Sequence, residues 1–86
     1  MQDTKQKLRQ AIGTVVKRHR QKSITKSAQE IGMWKALWAD LEKGIKDPQF
    51  STVWRIAEGL NIRPSALVKE IEDELGETFS FLENSL

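Results

Sequence analysis

Leu8, Ile12, Val15, Val16 and His19 recur at three- and four-residue steps, the spacing that lines up one side of an α-helix. The pattern predicts a first helix over about residues 5–20, with Lys17, Arg18 and Arg20 on its other side. Gly13 lies inside it and should weaken it by up to ~1 kcal/mol relative to alanine. Ile24, Ala28 and Ile31 make a second stripe, over 24–31. Ser23 is placed to cap it through its hydroxyl, and Gly32 ends it where the backbone turns left-handed. Trp34, Leu37, Trp38 and Leu41 make the third, over 34–43, closed by Gly44. "GIKDPQFS" reads as a loop, in which Pro48 pushes Asp47 toward an extended backbone. Ser51 is the expected cap of a fourth helix over 52–60, with Val53, Ile56, Ala57 and Leu60 facing inward and Asn61 stopping it. Pro64, a favoured first-turn residue, opens a fifth over 64–75, carrying Leu67, Val68, Ile71 and Leu75 and ending at Gly76. Trp38 and Trp54 are expected in the core; Trp34 either packs at the turn or stands exposed.

These five segments, with no repeats and no tyrosine, predict an all-α domain over 1–76 followed by a short tail over 77–86. The tail is apolar at Phe79, Phe81, Leu82 and Leu86. It either folds back on the domain or buries against a second copy, since a large apolar side chain left in water forgoes roughly 1.5–3 kcal/mol.

Charge changes the picture more than size does. The net charge is only +2, but residues 1–46 hold eleven Lys/Arg against four Asp/Glu, and residues 47–86 hold three against eight. A basic half joined to an acidic half suits one face that meets a polyanion; the alternative is a solvated surface whose charges happen to segregate. In the fifth helix, "KEIEDE" places four acids near the C-terminal end, unfavourably for the helix dipole. They are expected to solvate that helix or to face a partner.

Eighty-six residues make one small domain with a thin core. The absence of cysteine excludes a disulfide framework or thiolate metal site and suits a reducing cytoplasm. No apolar run is long enough for a membrane span, and "MQDTKQKLRQ" lacks the apolar core of a signal peptide. No nucleophile stands beside a plausible base, no glycine loop has phosphate-cradling spacing, and no residues cluster as metal ligands. The chain is therefore expected not to be an enzyme and to need no cofactor. His19 is expected to be a surface or half-buried residue.

The stretch "LEKGIKDPQFSTVWRIAEGLNIRPSALV", residues 41–68, resembles the Cro/repressor-type (XRE-like) helix-turn-helix domains. That family runs hydrophobic-Glu-x-Gly, a proline, a helix ending Ile-Ala-x-x-Leu, then a hydrophobic residue and a leucine. Leu41, Glu42, Gly44, Pro48, Ile56, Ala57, Leu60, Ile62 and Leu67 match it in register. Ala28, Gly32 and Trp38 match its small second-helix residue, turn glycine and buried third-helix position, and the likeness covers about residues 8–70. There are departures. Ser27 replaces a usual leucine, Ile24 a usual phosphate-touching glutamine, and Trp34 the usual Ser/Thr cap of the third helix. The family pairs a first-helix arginine with the acid matched by Glu42; Lys17 and Arg20 are both candidates.

The resemblance implies a compact five-helix, lambda-repressor-like fold and a DNA-binding regulator, a repressor that occupies its operator as a homodimer in the cytoplasm. It implies a third helix in the major groove, with Lys35, Ala36, Ala39 and Asp40 at base edges. Lys35 would donate to guanine, the alanines would touch thymine methyls, and Asp40 would accept only from cytosine. That is a thin vocabulary. Phosphate contacts are better supplied by Arg18, Arg20, Lys22, Ser23, Thr25, Lys26, Lys43 and Lys46. Dimer contacts are expected at Leu75, Phe79, Phe81 and Leu82. The alternative reading is a protein-binding module on the same scaffold, such as an antitoxin, antirepressor or accessory factor, with its alanine-rich face and Trp34 turned to a protein partner.

Overall fold

A computed structural model describes residues 2–82. Leu86, expected among the apolar tail residues, lies outside them. The described chain is all helical: α1 (Gln2–His19), α2 (Ile24–Glu30), α3 (Lys35–Glu42), α4 (Phe50–Gly59) and α5 (Pro64–Leu75), followed by a short tail. No strand occurs among the described residues.

The first helix is the spine. It packs against α3 and α5, while α2 leans on α3 and α4 on α5. Leu8, Ala11, Ile12, Val15 and Val16 line its inner side, and Trp38, Leu41, Ile56 and Leu67 fill the space it leaves. Gly13 explains how α1 and α3 approach so closely. A Cβ there would sit 2.6 Å from the carbonyl oxygens of both Leu41 and Glu42. The residue that looked like a weakness of the helix is what lets the crossing form.

Helix starts depend on side chains only in part. Ser23 caps α2, its hydroxyl accepting from the Lys26 N–H at 3.1 Å. At α4 the helix begins at Phe50, with Gln49 as N-cap and no side-chain cap bond; Ser51, the expected cap, is already in the first turn. Between α2 and α3 the chain turns through Gly32, at φ +66°, and the Met33 N–H reaches back to the Ala28 carbonyl at 2.9 Å. Met33 and Trp38 are both buried. They occupy the positions flanking a helix start that form a hydrophobic staple, which fixes the angle at which the chain enters α3.

Two expectations about the core are corrected. Trp54 is 49% exposed rather than buried, and Val68 is 38% exposed. Val53, Ile56 and Ala57 define the inner side of α4. Trp54 follows Val53 by one residue, about 100° around the helix, which carries its ring to the edge of the core.

Candidate nucleic-acid interface

On α3, Trp38 and Leu41 are buried. The opposite side presents Lys35, Ala36 and Lys43 to solvent, with Ala39 and Asp40 half-buried. The base-reading candidates thus share one side of one helix, and that side carries one cation, two methyl groups and one acid. Neither α2 nor α3 has an acid in its first turn.

How α3 is held follows from Glu42. Its carboxylate, with only 6% of the side chain exposed, accepts from Arg20 at 2.6 and 3.2 Å. It also accepts from the Trp38 indole N–H at 2.7 Å. Arg20 in turn donates to the Lys22 carbonyl at 2.7 Å, pinning the α1–α2 link. The Glu42 hydrogen bond raises the Arg20 pKa against the opposing effect of burial. Of the two candidate partners for Glu42, Arg20 takes the role. The Trp38 bond was visible in the sequence only as an i,i+4 spacing.

The phosphate candidates separate into two groups. Arg18 binds Glu70 at 3.3 Å and Glu74 at 2.8 Å, Arg20 binds Glu42, and Lys22 binds Glu30 at 2.7 Å. Ser23 is engaged in capping. Thr25, Lys26, Lys43 and Lys46 are exposed, and the three lysines have no ion-pair partner among the described residues. Lys35 is in the same state. The cationic half of the chain is therefore partly neutralised from within, and what remains unpaired lies on α2, α3 and the loop after α3.

The acids of α5 account for much of that neutralisation. Glu70 also bonds the His19 ring at 2.8 Å. The His19 hydrogen bond, aided by Arg18, holds the Glu70 carboxylate below its ordinary pKa although partial burial opposes this. Glu74 does most to raise the Arg18 pKa. Glu70 and Glu74 thus clamp α5 to the end of α1. They are neither merely solvating nor reserved for a partner.

A second surface was not anticipated. Phe50 and Trp54 meet edge to face at 6.2 Å, beside a groove completed by Arg63, Pro64, Ser65, Val68, Lys69 and Glu72. A neighbouring groove shares Glu72 and continues past Leu75 to Phe79. Leu75 packs on the core. In the tail, Phe79 meets Phe81 edge to face at 5.5 Å, and Leu82 is exposed.

No family model, curated protein or solved structure matches the chain. Among the described residues no helix is long and apolar enough to cross a membrane, and no group of His, Asp or Glu is arranged to hold a metal ion.

Proposed function

We propose that the protein is a DNA-binding transcriptional regulator that places α3 in the major groove and grips the flanking phosphates with Lys26, Lys43 and Lys46. The observation that carries this reading is the charge left over after internal pairing. Exposed lysines without acidic partners remain on α2, α3 and the following loop, next to a helix whose outer side is small enough to enter a groove about 12 Å wide. Arg18, Arg20 and Lys22 hold the fold and contribute less. Lys35 supplies the one strong hydrogen-bond donor to base edges, so specificity rests heavily on apolar contact and on the shape of the duplex.

The protein acts as a homodimer on a two-fold operator, blocking a promoter by occupancy. The surface that supports this is Phe50, Trp54 and Val68, with the tail residues Phe79, Phe81 and Leu82 extending it beyond Leu75. Pairing two α5 helices antiparallel about Val68 would set this apolar patch against its own copy. A two-fold axis requires such self-complementarity.

A gel-shift series with random duplex at rising salt tests the reading. Retention that falls steeply with salt is expected. Absence of retention at low salt, together with a stable protein complex in a pull-down, would move the protein to the class of protein-binding modules.

A further inference from the structure

Trp34 is 83% exposed, an unusual state for the largest side chain. It is also the N-cap of α3, in an extended conformation at φ −66° and ψ 135°, and makes no side-chain cap bond. An N-cap residue normally turns a short polar side chain back onto the first free amides. Here Met33 and Trp38, at the staple positions either side of that start, are both buried, and the side chain of residue 34 makes no cap bond. Its backbone is nonetheless fixed on both sides. The Met33 N–H bonds the Ala28 carbonyl at 2.9 Å, and the Trp34 carbonyl accepts from the Trp38 N–H at 3.1 Å. A rigid turn thus carries an indole into solvent beside Lys35, at the end of α3 that leads into the groove. Trp has only two side-chain torsions to order, so little is lost on contact.

We infer that Trp34 reads DNA directly, its ring packing against thymine 5-methyl groups in the major groove at the edge of each half-site. This rests on the DNA-binding reading above and supplies the specificity that α3 otherwise lacks. Ala36 is exposed and Ala39 half-buried; their methyl groups can touch a thymine methyl but offer little apolar surface. The indole adds a broad apolar wall next to them and a single N–H donor. The neighbouring chemistry selects the partner. The first turns of α2 and α3 hold no acid, and Lys26 and Lys35 are exposed. An indole in that setting fits a polyanion with apolar edges better than an apolar protein groove.

The test uses the full chain and its Trp34→Ala and Trp34→Phe variants. The exposed position predicts unchanged thermal unfolding for both. Duplexes recovered by selection are then resynthesised with deoxyuridine replacing thymine at one position at a time, which removes only the methyl group. The parent protein should lose about fourfold in affinity at one thymine of each half-site, the equivalent of about one buried methylene. Trp34→Ala should bind the thymine duplex at least about fourfold more weakly and be indifferent to the deoxyuridine exchange, with Trp34→Phe between. If Trp34→Ala binds the selected duplex as tightly as the parent, or stays as sensitive to every deoxyuridine, the inference fails while DNA binding stands. If the parent binds no duplex and Trp34→Ala instead abolishes a protein complex, both fail together.

Discussion

Gly13 and Glu42 fix where α3 sits. Replacing Gly13 with alanine would raise helix propensity by up to ~1 kcal/mol, yet the added methyl meets the Leu41 and Glu42 carbonyls. Overpacking of this kind costs about 1–3 kcal/mol, so Gly13→Ala should lower the urea midpoint although it improves α1 in isolation. Glu42→Ala would strip the partly buried Arg20 guanidinium and the Trp38 N–H of their acceptor. Hydrogen bonds to charged groups contribute about 1.5–3 kcal/mol, and a loss of that order is expected in equilibrium unfolding. The tryptophans show how far sequence alone reaches at this scale. Trp38 lies on the core stripe and is buried. Trp54 lies about 100° from Val53 on α4 and is half exposed, which its hydrophobicity could not reveal. For Trp34 the stripe allowed either outcome, because exposure at a turn depends on whether the flanking residues already fill the core.

At the scale of elements, the stripes located all five helices because each core-facing set recurs with helical spacing. Partners across the fold were less legible. The acids of α5 looked surplus in sequence, since nothing local pairs with Glu70 or Glu74; their partners Arg18 and His19 lie more than fifty positions away. This clamp makes stability depend on pH. The Glu70 carboxylate is held below its ordinary value, so its contribution is fully present above that ordinary carboxylate range and is lost as pH falls through the lowered value. Thermal melts between pH 6 and pH 3 should therefore show an acid-side decline, and Glu70→Gln should flatten part of it. An equally steep decline in that variant would remove the clamp from the account. The lysines of α2 and of the loop after α3 belong to this scale as well. Lys26→Ala or Lys43→Ala should weaken binding to all duplexes alike and reduce the salt slope by about one.

For the whole molecule, charge segregation along the chain was the readable signal, and it was incomplete. It counted Arg18 and Lys22 as available when the fold engages them internally, while Arg20, also a candidate partner of Glu42, takes that internal role. The apolar patch on α4 and α5 was hidden because Phe50, Trp54 and Val68 are scattered in sequence and meet only once those helices pack. A carboxylate in its centre should prevent self-association without disturbing the core. Val68→Glu is expected to sediment as a monomer with unchanged helix content and to lose cooperative binding to a two-fold site. A variant that remains dimeric would place the interface elsewhere.

The most direct test of the account is duplex affinity measured between 50 and 200 mM salt. With Lys26, Lys43 and Lys46 on phosphates, at roughly 0.9 per contact, log affinity should fall against log salt with a slope of about −3 per protomer. A slope near zero, or no binding at the lowest salt, would contradict it.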